Sequence, residues 1–222
     1  MVMLVDQQDY VKVLIALASI ALGWLLAQGT ELVKSKFKAR RIKKALLTEL
    51  TDLRVHLERT RLSCMRGLQV FAIMGIQPAV TVKLSHRVFE SQYVNAFVEL
   101  THAQRNSYEL THSMIDSVNS SIDGLIDFLE GVDMADLPPA KRDKAQLEKW
   151  GRLLKAHYLT IRSAQWHVEF HLANRRNPDL GLIDSPAHKL FVESDEQFRE
   201  EIVRIIEKAK NFNISDFEKI RV

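Results

Sequence analysis

The chain has 222 residues, 46% hydrophobic and 27% charged, with eight Gly, five Pro and a single Cys. That composition excludes collagen-like, disordered and disulfide-scaffold classes and leaves room for one domain with a small appendage; Cys64 has no second cysteine to pair with, which fits a reducing compartment. The net charge of +3 is uneven: Lys34, Lys36, Lys38, Arg40, Arg41, Lys43 and Lys44 fall within eleven residues that hold no acid, whereas residues 45–222 carry 23 basic and 25 acidic side chains, a balance that excludes a surface broadly charged for nucleic acid.

The N-terminal region explains the basic block. Val13 to Ala27 is fifteen residues without a charge, and Ser19 is its only hydroxyl. Tyr10, Val11 and a snorkelling Lys12 extend the run to eighteen. As a helix that is about 27 Å, close to the hydrocarbon thickness of a bilayer. Tyr10 and Trp24 stand near its two ends, where aromatic anchors are favoured. A buried soluble helix is the other reading of a run apolar on every face, and the basic residues that follow at once favour a span. A cleaved signal would begin with cations, but residues 1–9 hold Asp6 and Asp9 and no Lys or Arg. The expectation is an uncleaved single span. Its basic collar should stay cytoplasmic against anionic headgroups, and its acidic N-terminus should lie outside the cell membrane. Ser19, Gly23 and Ala27 repeat a small residue at every fourth position, a face along which two spans could associate.

Prolines at 78, 138–139, 178 and 186, with Gly75, Gly131 and Gly181 nearby, divide the remainder into segments that each read as a helix. The first runs from about Thr30 to Ala72, with Ile42, Leu46, Leu50, Leu53 and Leu57 as one stripe. Whether Gly29-Thr30 breaks it from the span stays open. The second runs from near Ser85 to Gly131, with Ile115, Val118, Ile122, Leu125 and Leu129 as its stripe and a kink or fresh start within Thr101–Glu109. A loop over Gly131–Ala140 follows. The third helix covers about Ala140 to Arg175, with Leu147, Trp150, Leu154, Tyr158, Ile161, Val168 and Leu172 near one face, and Asn177-Pro178 ends it. The fourth starts at Ser194 with Gln197 in a capping-box pattern, its stripe being Phe198, Ile202, Ile205 and Ala209; Ser215 with Glu218 suggests a last short turn. Only Ala79-Val80-Thr81-Val82 alternates like a strand.

Residues with chemistry are sparse. Phosphate-cradling glycine loops, H-E-x-x-H, C-x-x-C and G-x-S-x-G are all absent. His167 and His171 share a helix face and could chelate a metal, but Glu169 between them points away, about 200° round the helix from His167. Arg105-Asn106 followed by His112, in RNSYELTH, resembles the R-x4-6-H motif of HEPN ribonucleases. That resemblance implies a helical bundle with an active site built across a dimer by Arg105 and His112. Arg152–His157 and Arg162–His167 have the same kind of spacing, yet only Arg105 and His112 fall on one helix face, about 20° apart rather than about 140°. Trp150 and Trp166 read as core, and His157 and His171 as neighbours of the core stripe.

The fold expected is all-α: a single N-terminal transmembrane helix followed by an elongated antiparallel bundle of about four helices. Its parts are a short extracytoplasmic N-terminus (1–9), the span (10–28), a basic juxtamembrane segment (29–44) and a cytoplasmic bundle (45–222). The function expected is non-enzymatic: a membrane-anchored interaction protein that binds a protein partner or itself, with a bilayer as its other partner. No cofactor, metal or nucleic acid is expected. The alternative is a membrane-tethered ribonuclease or toxin of the HEPN kind.

Overall fold

The computed structural model describes residues 7–77, 80–132, 144–180 and 183–211, and these are all-helical. In order come α1 (Gln7–Ala72), α2 (Arg87–Ala96), a short 3-10 turn (Phe97–Glu99), α3 (His102–Glu130), α4 (Lys144–Ala173) and α5 (Pro186–Ala209). No strand occurs among the described residues, and 80–82 run through as irregular chain. Residue 79 and the Ser215–Glu218 turn lie outside them, as does most of the loop expected over Gly131–Ala140.

α1 is one unbroken helix of 66 residues, about 99 Å long. Gly29 and Thr30 do not interrupt it: the Thr30 hydroxyl donates to the Leu26 carbonyl one turn back, 2.7 Å away. Its two halves live in different surroundings. Residues 10–38 are exposed all round, whereas from Ala39 onward one side is buried. α1 is long and apolar enough to cross a membrane, and its most apolar eighteen residues have no protein cover.

The core forms where the stripes meet. Leu46, Leu50, Leu53 and Leu57 of α1, Ile115, Val118 and Ile122 of α3, and Trp150, Tyr158, Ile161 and Val168 of α4 are essentially inaccessible. α4 runs antiparallel to α1: Gln165 meets Glu58, Tyr158 meets Arg61, and the Cys64 thiol donates to the Leu154 carbonyl. It is antiparallel to α3 as well, since Gln104 reaches Arg175, Ser121 reaches His157 and Phe128 stacks on Trp150. Gly151 lets α4 approach α1 closely, because a Cβ there would overlap the Phe71 ring.

Local chemistry sets the boundaries. Thr101 caps α3 with a complete capping box to Gln104, so the second segment is two helices joined by a 3-10 turn rather than one. α5 begins at Pro186, eight residues before Ser194. Ser185 accepts from the His188 backbone N–H, and Pro186 occupies the first helical position, where a missing N–H costs nothing. The Ser194 hydroxyl donates instead to the Leu190 carbonyl within the helix. A mixed network holds α5 in place: Glu201 pairs with Arg61 (3.3 Å) and Arg162 (3.2 Å), and the Arg162 guanidinium lies over the Phe198 ring.

Candidate functional site

An open groove of about 1080 Å³ runs along α1 from Arg41 to Thr60. Its floor is one helix face at steps of three and four residues, and its far wall is the chain from Val80 to Val88 leading into α2. That wall is tied down at two points. Leu84 exchanges both backbone hydrogen bonds with the Asn119 side chain, its N–H donating at 2.7 Å and its carbonyl accepting at 2.9 Å. The second tie is Glu49. α2 has no side-chain cap of its own, and the Glu49 carboxylate on α1 accepts from the Val88 and Phe89 N–H groups at 2.7 and 3.0 Å. Burial raises the Glu49 pKa, and those two N–H donors and His86 oppose the rise.

Behind Glu49 lies a buried histidine pair. His86 and His112 share a hydrogen bond between Nδ1 atoms 3.2 Å apart, and their rings stack. His112 Nε2 is 3.9 Å from Glu49 and the ring lies flat against Phe89. His86 Nε2 faces Asp116 at 3.1 Å. Burial presses the His112 pKa down to about 3, with His86 and His171 adding to the fall.

Arg105 is elsewhere. Its guanidinium lies over the Phe97 ring, 4.4 Å from the centroid, and donates to the Phe97 carbonyl. Phe89, Tyr93 and Phe97, successive turns of one helical stretch, form a row of touching rings between His112 and Arg105. The two residues share a helix, and neither lines the groove.

His167 and His171 are both buried, and their rings meet different neighbours. His171 Nδ1 bonds the Ser107 hydroxyl at 2.9 Å and its ring packs on Tyr108, whereas His167 sits among Trp166 and Phe191. Burial lowers both pKa values to about 4. Among the described residues, no group of three or more His, Cys, Asp or Glu is arranged to hold a metal ion.

The collar cations divide into sets. Lys34 pairs with Glu31 at 3.1 Å, and Lys43 donates to the Glu99 carbonyl at 3.0 Å, fastening the 3-10 turn to α1. Arg41 and Lys44 line the near end of the groove. Lys36, Lys38 and Arg40 project into solvent. Within the apolar half, Tyr10 and Trp24 are exposed, and so are Ser19, Gly23 and Ala27 along one face. The Ser19 hydroxyl donates to the Ile15 carbonyl, and a Cβ on Gly23 would meet nothing.

Sequence reasoning missed the groove and its Glu49 clasp. A signal existed: Glu49 lies beside Leu46, Leu50 and Leu53, a carboxylate at the edge of an apolar stripe, where a buried donor must meet it. No protein-family model, curated protein or solved structure matches this chain, so the geometry stands alone.

Proposed function

We propose that this is a single-pass membrane protein whose helical part is an interaction module, held at the cytoplasmic face of the cell membrane and binding a protein partner or a second copy. The observation that carries the reading is the exposure of residues 10–38 around their whole circumference. Nine large apolar side chains between Val13 and Leu26 are exposed, each worth about 1.5–3 kcal/mol when removed from water. An isolated helix without tertiary contacts is marginal in water, and a bilayer supplies the missing cover. The collar then sits at the headgroups and orients the chain with its acidic N-terminus outside. The Ser19, Gly23 and Ala27 face is available for pairing of spans.

On this reading α1 is both anchor and first member of an elongated antiparallel bundle with α3, α4 and α5, so the module stands rigidly off the membrane. Two copies carrying different tags, coexpressed and extracted in mild detergent, test it. Capture through one tag should bring down the second copy or a defined partner protein, and deletion of residues 7–30 should weaken recovery. Isolation of the chain alone, or RNA cleavage by the purified protein that His112→Ala abolishes, would contradict the reading.

A further inference from the structure

The groove along α1 carries an unbalanced charge. Arg41, Lys44, Arg59 and Arg87 line it, and among the described residues none of the four has an ion-pair partner. Lys83, also on the wall, is neutralised by Asp123 at 2.7 Å. Of the two acids in the lining, Glu49 is committed to the Val88 and Phe89 N–H groups, which leaves Asp52 as the one free carboxylate. Four free cations thus face one free anion across walls that include Leu53, Val80, Val82 and Val88. Val82 is 87% exposed although it borders the cavity, so one apolar rim has no cover.

We propose that this groove is the docking site for an acidic amphipathic helix of a partner protein, which lays its apolar face between α1 and the Val80–Val88 wall and sets its carboxylates against Arg41, Lys44, Arg59 and Arg87. The span from Arg41 to Arg59 is about 27 Å of α-helix, the length of an eighteen-residue partner helix and far longer than a small anion. The charge pattern selects an acidic partner and disfavours a basic one. Because Glu49 already satisfies the first α2 amides, the recognising groups are side chains, with a fork geometry suited to carboxylates at Arg59 and Arg87. Helix-in-groove binding of this kind draws its affinity from the apolar anchors and its choice of partner from the charges.

The inference rests on the proposed role as an interaction module and names the partner class. The test uses the full chain in nanodiscs of zwitterionic lipid, where the collar has no anionic headgroups to bind. The probe is a fluorescein-labelled twenty-residue amphipathic helix with Leu on one face and Glu on the other; the control carries Lys in place of Glu. Fluorescence anisotropy should show saturable binding of the Glu peptide alone. The double variant Arg59→Glu/Arg87→Glu should raise its Kd at least tenfold, whereas Lys36→Glu/Lys38→Glu in the collar should change it less than twofold. Arg59 and Arg87 are both exposed; should the double variant nevertheless melt early, the single variants Arg59→Ala and Arg87→Ala should each weaken binding severalfold. Equal binding of both peptides, or indifference to the groove variants, overturns the inference. So does a groove variant that leaves the peptide unaffected but weakens association with phosphatidylserine vesicles, which would make the groove a lipid contact. A partner recovered by the tagged chains that ignores Arg59 and Arg87 would leave the interaction module standing and remove the groove from it.

Discussion

Glu49 illustrates how one side chain can decide the placement of a distant element. Its carboxylate is the cap that α2 lacks, and it is presented by a helix 39 residues away in sequence. Glu49→Ala leaves two amides at a helix start without an acceptor, a loss of about 2–3 kcal/mol for charge-assisted bonds. Hydrogen exchange on the full chain should show residues 87–96 losing protection while α4 keeps its own; unchanged exchange in α2 would show that the clasp is dispensable. The buried histidines give a second test at this scale. Burial lowers the pKa of His112 to about 3 and of His157, His167 and His171 to about 4. The unfolded chain takes up these protons near pH 6.5 and the folded chain resists them, so the stability they contribute is present above pH 6.5 and lost on acidification towards pH 4. Glu58, whose pKa is lowered chiefly by its hydrogen bond from Arg61, loses stability in the same direction. Glu49, whose pKa burial raises, offsets part of the loss. Denaturant titrations from pH 7 to pH 4.5 should record a fall of a few kcal/mol, and His157→Asn should flatten it by about a quarter, being one of four such groups. A flat profile would mean that these rings are reached by water.

At the scale of elements, the stripes were legible because burial against a common core leaves a strict period in the residues. Leu46, Leu50, Leu53 and Leu57, and likewise Ile115, Val118 and Ile122, are buried as their spacing implies. The start of α5 was misplaced because Ser194-x-x-Gln197 and Ser185-Pro186 are both valid start signals, and only the fold selects between them. The Val80–Val88 wall was illegible for a different reason: it has no periodicity, and it is fixed by Asn119 and Glu49, whose partners are far away in sequence. The resemblance of Arg105 and His112 to a nuclease motif rests on their spacing in RNSYELTH and on a shared helical phase; neither reports the row of Phe89, Tyr93 and Phe97 that lies between them and comes from a separate stretch of chain. Close approach of α1 and α4 depends on Gly151, where any Cβ meets Phe71. Gly151→Ala should therefore cost about 1–3 kcal/mol through overpacking, with Phe71→Leu in the same chain restoring part of it. A neutral Gly151→Ala in denaturant titration would mean that α1 and α4 can separate without loss.

For the whole molecule, the governing feature is that α1 continues without a break from an apolar, uncovered half into a half that supplies one wall of the core. The groove begins where the uncovered half ends: its near end, at Arg41 and Lys44, is also the far end of the collar. On the proposed reading the same cations set the orientation: protease added to sealed, right-side-out vesicles should leave the helical domain intact and cleave it only after detergent, whereas cleavage without detergent would reverse the topology. The decisive measurement is alkaline carbonate extraction of membranes containing the full chain, followed by flotation. The account predicts that the chain floats with the lipid and that removal of residues 7–30 releases it to the soluble fraction. Complete release of the full-length chain by carbonate would contradict it, because an uncovered apolar helix would then have found its cover in protein and not in a bilayer.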